Sequence, residues 1–340
     1  MSGHNSIPPG RAVLYIAVAA TAWGTGGAVA AVLYSTSGLD ALAVSFWRFL
    51  GGAAALAALR LLVHRPGALS LMRMVRTAPI QLAVTGVGMA MYQTAYFAAV
   101  GMAGLAIATV VTLGFGPALV ALGARLWMAE RLGMRGIAIV GSALAGLVLL
   151  IFSDGSAGDA SARQPVLGLG LAVLSAVAYA GTTLLNRAMG AQDANADPVG
   201  NALIGFLVGS CCLLPLALAS GILPGRGDPV STILLLGYLG LVPSALAYGL
   251  FFSGLTAVTA TTASVVALVE PLAAAVIAVA FLGEQLTVTA VVGGAVLLGS
   301  VVALAITERR AATAAGAGLP SLTVSKPGAV EPARSIGRPD

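Results

Sequence analysis

The chain repeats itself. Pro117, Glu130 and Leu132 recur as Pro271, Glu284 and Leu286, each 154 residues further on. The register extends outward without a gap. Leu82, Gly86, Phe97, Ala103, Ala106, Val111 and Ala121 meet Leu236, Gly240, Phe251, Ala257, Ala260, Val265 and Ala275 at the same offset. A duplication of this kind constrains the fold because every segment it contains is long and apolar.

What the copies are made of decides the solvent. Hydrophobic residues are 59% of the chain and charged residues only 9%, whereas soluble domains average roughly a quarter charged. Lipid is the better solvent for such a composition, and the 44 glycines suit helices that approach closely through small residues. A bilayer helix needs about 20 apolar residues. Such runs occur about ten times, at roughly 12–34, 42–62, 79–100, 104–127, 134–152, 166–187, 200–220, 231–253, 261–282 and 286–306. The first ends in Ala28-Val29-Ala30, which looks like a leader-cleavage site. It is too long for an ordinary leader and is followed by many more runs, so it is expected to stay as the first span. Cys211 and Cys212 are expected to be small buried hydrophobes.

The arginines supply the topology. On a ten-span chain with both termini on one side, that side receives Arg11, Arg60, Arg65, Arg73, Arg76, Arg125, Arg131, Arg135, Arg187, Arg309, Arg310, Lys326, Arg334 and Arg338. The other receives Arg163 and Arg226. Positive charge marks the cytoplasm, which explains the net charge of +5 without nucleic acid and places both termini inside a cytoplasmic (inner) membrane. Five spans per copy is an odd number, so the second copy enters the membrane upside down. The expected fold is an all-α integral membrane protein of about ten transmembrane helices in two inverted five-helix repeats. Its segments are a cytoplasmic tail (1–11), a first repeat (12–152), an extracytoplasmic loop (153–165), a second repeat (166–306) and a disordered cytoplasmic tail (307–340). Inverted repeats that enclose a central site are the architecture of alternating-access carriers.

Here the residues resemble the drug/metabolite transporter superfamily, in particular its ten-helix EamA-type members. The matching features are Ala22-Trp23-Gly24, Phe46-Trp47-Arg48-Phe49, Pro117 with Glu130-Arg131-Leu132, and, most fully, Glu270-Pro271 with Phe281-Leu282-Gly283-Glu284-Gln285-Leu286. The resemblance implies a carrier of small metabolites, often an exporter of amino acids or related amphipathic compounds, with a cavity between the halves. The first copy departs from the pattern: Ala129 stands where a glycine commonly precedes the glutamate, and Pro117 follows Gly116 rather than a glutamate.

Several residues are candidates for the work. Arg48 lies inside the second span, where a charge costs about 2.5–3.5 kcal/mol on insertion scales; it should contact an anionic group of the solute or snorkel to the interface. Glu270, an acid near a span centre, is the candidate for proton coupling, for binding a solute ammonium or for pairing with Arg48. Burial favours the neutral form of a carboxyl, and this allows it to take up and release a proton. Pro117 and Pro271 should kink or open their helices. Glu130 and Glu284, at hairpin ends, are expected to cap or brace loops. Trp23, Tyr92, Gln93, Tyr96, Tyr179 and Tyr248 are candidates to line an amphipathic cavity or, equally, to pack between helices.

No enzymatic activity is expected. The chain has no His-Glu-x-x-His, no glycine-rich phosphate loop ending in Lys-Ser and no nucleophile–base pair, and no cofactor or metal is implied. Gly225-Arg226-Gly227-Asp228 is like an intramembrane protease motif, but prolines flank it in a loop. The expected partners are a small-molecule substrate, the bilayer and protons. A scaffold, receptor or lipid-handling membrane protein is the alternative. The inverted arrangement makes one early prediction: reporters at the N-terminus and in the Ser153–Gln164 segment report opposite faces of the membrane, and the same face for both would end it.

Overall fold

Where lipid offers the backbone no hydrogen-bond partner, each apolar run must satisfy itself as a helix. This computed structural model describes residues 7–62, 67–128, 130, 133–151, 164–192, 197–282 and 287–317. In chain order the helices are α1 (Pro9–Ser37), α2 (Ala41–Leu62), a short α3 (Gly67–Thr77), α4 (Pro79–Ala103), α5 (Leu105–Trp127), α6 (Met134–Ile151), α7 (Pro165–Gln192) and α8 (Pro198–Ser220). There follow α9 (Pro229–Gly240), which runs through a π-helical turn at Leu241–Leu246 into α10 (Ala247–Leu255), then α11 (Ala260–Ala267), α12 (Val269–Leu282) and α13 (Val288–Ala317). Five helices open on a proline, Pro9, Pro79, Pro165, Pro198 and Pro229, where the missing N–H has no partner to lose. Gly104, at φ 87°, turns α4 directly into α5.

Taking α9–α10 and α11–α12 as one span each, the chain crosses ten times. Among the described residues nine helices are long and apolar enough to cross a membrane. The remaining span, α4, has 25 residues, but Gln81, Tyr92, Gln93, Thr94 and Tyr96 dilute its hydropathy. Two elements differ from the sequence expectation. The short helix α3 occupies what reads as a loop, and α13 runs past Thr307 to Ala317, into the stretch expected to be a disordered tail. Cys211 and Cys212 also differ: both are exposed on the outside of the bundle.

The two repeats interlace. α4 packs on α7 and, by the same relation, α1 packs on α10. α5 lies on α7 as α11 and α12 lie on α1, and α4 meets α8 as α9 meets α2. The remaining close pairs, α2 with α8 and α6 with α13, join each helix to its own counterpart in the other copy. Contacts within a repeat are sparse by comparison. The structural halves are therefore not the sequence halves: one group is α4, α5 and α7, the other α1, α9–α10 and α11–α12.

The α6–α13 seam rests on glycine. A methyl on Gly146 would sit 2.7 Å from the Leu297 nitrogen and 2.8 Å from the Gly293 carbonyl, and one on Gly293 would sit 2.7 Å from the Gly146 carbonyl. Gly141, on the same helix, faces open space. Gly146→Ala is expected to cost about 1–3 kcal/mol of stability and lower the thermal unfolding midpoint in detergent, whereas Gly141→Ala leaves it unchanged or higher.

Candidate functional site

The bundle is solid at one end and hollow at the other. The main apolar cluster gathers Ile16, Phe49, Leu56, Phe206, Leu255 and Val258, near the end where the helices carry Arg11, Arg60, Arg125, Arg135, Arg187 and Arg310. From the midplane outward, a cavity of about 980 Å³ opens the other way. It reaches Tyr34, Gly104 and Ile151 at its mouth and stops at Thr183, Phe252 and Ser264. Its volume lies at the upper end of the usual range for small-molecule sites.

Every sequence-chosen binding candidate lies on this wall: Trp23, Arg48, Tyr92, Gln93, Tyr96, Tyr179, Tyr248 and Glu270, together with Pro117 and Pro271. The aromatic rings are continuous on one side. Trp23 packs on Tyr248 and Phe251 with ring centroids 5.1 Å apart in each case, and Tyr248 goes on to Phe206. Tyr92 and Tyr179 form a second pair at 5.7 Å. Tyr96 shares a 2.9 Å hydrogen bond with Thr109, and Gln93 donates to Ser45 at 3.3 Å. The Trp23 indole N–H is buried without a partner.

Arg48 does not snorkel. Its Nε donates to Ser244 Oγ at 3.0 Å and its Nη2 to the Pro243 carbonyl at 3.3 Å. Pro243 explains why those acceptors exist. It has no N–H for the Leu239 carbonyl four residues back, so Ser244 Oγ donates there instead, at 2.8 Å. The Ala247 N–H, which an α-helix would aim at the Pro243 carbonyl, bonds Val242 and Ser244. One proline thus makes the π-helical turn, and the turn holds the guanidinium at the cavity wall. At the 154-residue offset the first copy has Met89 and Ala90, and α4 is unbroken there. Sequence reasoning missed Pro243; a Pro-Ser pair deep inside an apolar run was the available signal.

Pro271 opens its span and Pro117 does not. α11 stops at Ala267, Leu268 bonds three residues back to Val265 at 3.1 Å, and α12 starts at Val269. Without an N–H on Pro271 the Ala267 carbonyl has no α-helical donor. Glu270 sits in the first turn of α12, at the positive end of that helix's dipole. The pairing of Glu270 with Arg48 does not form: among the described residues the ion pairs are Arg60–Asp197 and Arg187–Glu130. Among the described residues the Glu270 carboxyl has no hydrogen-bond partner, and it lies on the cavity wall, open to whatever enters. The backbone behind it is pressed against α1, where a methyl on Gly24 would lie 2.7 Å from the Glu270 carbonyl. In the first copy α5 passes through Pro117 as one helix. Its residue at the Glu270 place, Gly116, leaves room for Tyr179, whose ring comes within 3.0 Å of where a Cβ would be.

Glu130 lies at the solid end, away from the cavity, and braces it. Arg187 reaches Glu130 at 3.4 Å and the carbonyls of Leu255 and Thr256 at 3.1 and 3.2 Å, tying the ends of α5, α7 and α10. Asn201 bonds Asn186 beside it, and Arg60 pairs with Asp197 between α2 and α8. Glu284 falls outside the described residues. Asp228 caps α9 by accepting from Ser231 N–H at 2.8 Å, which gives the Gly-Arg-Gly-Asp segment a structural role.

A protein of Bacillus subtilis (strain 168) described as "Uncharacterized transporter YwfM" is 32% identical over 310 residues, which is 89% of this chain and 97% of that one. The model of the EamA-like transporter family matches residues 166–306. The chain belongs to the EamA-like transporter family. A shorter match is an uncharacterized transporter of Clostridium kluyveri, 33% identical over 29% of this chain and 32% of its own length. A crystal structure aligns with a TM-score of 0.72 over 88% of this chain and 98% of that one; at 21% identity it shows the fold alone. The EamA-like chain is thus a multi-pass membrane transporter with an all-helical fold.

The π-helical turn yields a prediction. Ser244→Ala leaves the Leu239 carbonyl and the Arg48 Nε unsatisfied together, for an expected loss of about 1–3 kcal/mol. Ser253→Ala removes a hydroxyl that only bonds back to Gly249 within its own helix, so its unfolding midpoint stays within error of the parent.

Proposed function

We propose that the protein exports a small amphipathic organic solute across the cytoplasmic membrane by alternating access, coupled to protons through Glu270. The observation that carries this reading is a carboxyl with no hydrogen-bond partner among the described residues, placed at a helix break on the wall of a cavity lined from the midplane toward the arginine-poor end. Assigning the arginine-rich end to the cytoplasm puts both termini inside and the cavity mouth outside. The state described here is then outward-open. Arg187 with Glu130, Asn186 with Asn201, and Arg60 with Asp197 form the closed cytoplasmic layer that must part when the cavity turns inward.

The composition of the wall supports the solute class. Broad rings from Trp23, Tyr92, Tyr179 and Tyr248 offer an apolar, polarisable surface, while Glu270, Gln93 and the outward donors of Arg48 fix polar ends. A carboxyl on the cavity wall can alternate between a proton and a cationic group of the solute, and a proton entering from outside can drive export. The interlaced packing gives the motion its parts: α4, α5 and α7 against α1, α9–α10 and α11–α12, with the openings at Pro271 and Pro243 as the deformable points.

Metabolite profiling of cells and medium tests the reading, using a deletion strain carrying the parent, Glu270→Gln or an empty vector, with membrane abundance matched. The parent is expected to enrich one amphipathic solute in the medium, and Glu270→Gln to return that solute to the empty-vector level. Export by Glu270→Gln at the parent rate would remove the coupling role from this residue, and enrichment inside the cells would reverse the direction.

A further inference from the structure

The helix that the sequence reading did not anticipate, α3 (Gly67–Thr77), does not line the cavity. It stands between the end of α2 and the start of α4, at the end of the bundle that carries Arg60, Arg125 and Arg187, and its faces differ sharply. Leu71 and Met74 are half-buried, and Leu71 packs on the main apolar cluster. Met72 and Val75, one turn apart, are 53% and 45% exposed. Arg73, Arg76 and Thr77 are exposed on the remaining side. A helix tethered by one apolar edge, with a second apolar edge uncovered and arginines beyond it, has the three-sided pattern of a segment lying in a membrane interface.

The neighbours fix its depth. Leu61 and Leu62 close α2 at 79% and 77% exposure, and Ile80 opens α4 at 77%. In a membrane protein such side chains belong in acyl chains, so apolar surface reaches both ends of α3. The helix therefore lies where hydrocarbon gives way to headgroups, with Met72 and Val75 on the lipid side. Arginine stems of that length reach out of the acyl region and leave the guanidinium among the headgroups. Charge complementarity selects the occupant there: a phosphate without a compensating ammonium, against which a guanidinium can donate in pairs.

We propose that α3 is a docking surface for anionic phospholipid, with Met72 and Val75 set into the acyl chains and Arg73 and Arg76 gathering negatively charged headgroups. The proposal does not depend on the solute or on coupling at Glu270. By attraction to anionic headgroups, each arginine should enrich such lipid about fivefold at this spot, and the enrichment should weaken as salt rises.

The test uses the full-length chain with Val75→Trp in nanodiscs of neutral lipid. These contain a fixed minor fraction of either brominated phosphatidylglycerol or brominated phosphatidylcholine. The readout is quenching beyond that of the parent, which subtracts Trp23, Trp47 and Trp127. The expected result is much stronger quenching by the anionic quencher, lost in Arg73→Gln/Arg76→Gln and kept in Arg73→Lys/Arg76→Lys, with all variants unfolding at the parent's temperature. Equal quenching by the two lipids overturns the proposal. So does an anionic preference that survives the double glutamine change. Absence of extra quenching by either lipid also overturns it, and would place this face against water or another protein.

Discussion

In a solvent that cannot form hydrogen bonds, every carbonyl that proline orphans must find its partner inside the protein or at a wet surface. That single constraint organises the site. At Pro243 the orphaned Leu239 carbonyl is met by Ser244, whose oxygen also receives Arg48. At Pro271 the break falls at Ala267 and Leu268, both on the cavity wall. Both breaks are tolerable only because a cavity or a side chain attends them, so the places where the helices fail and the place where a solute can sit coincide. The same constraint accounts for Arg48: a charge inside the membrane is bearable here because the π-helical turn presents acceptors that a regular helix would have used itself.

The duplication explains the architecture, but the chemistry lies in departures from it. The packing relations repeat faithfully across the two copies, yet the features that line the cavity do not. Glu270 faces Gly116 across the symmetry, the broken span α11–α12 faces the continuous α5, and the bulged α9–α10 faces the regular α4. Where the second copy places a carboxyl, the first lets the Tyr179 ring fill the space. The result is a frame of near-equal halves around a chamber with one acidic wall, braced at the far end by Arg187 and Glu130.

Much of the frame was legible in the residue order. Ten spans could be counted because hydrophobic length is a one-dimensional property, and inversion followed from an odd number per copy. The cavity wall was partly legible as well, since polar and aromatic residues such as Tyr92, Gln93 and Tyr179 are conspicuous within apolar runs. Partnership was not legible. The pairing allowed between Arg48 and Glu270 did not form, and Glu130 found Arg187 some 57 positions away. Amphipathic α3 was overlooked because its 11 residues are too few to register as a span.

The order of residues by itself determined that this chain dissolves in lipid, that it is wholly helical and that it is built twice, because hydropathy, length and repetition are summed along the chain. Tertiary structure decided which helices pack together across the two copies, which proline opens its helix and which charges pair. Those outcomes depend on distances between segments far apart in the chain. Gly116 beside Tyr179 and Ser244 beside Arg48 are settled by crossing geometry, which no local pattern encodes.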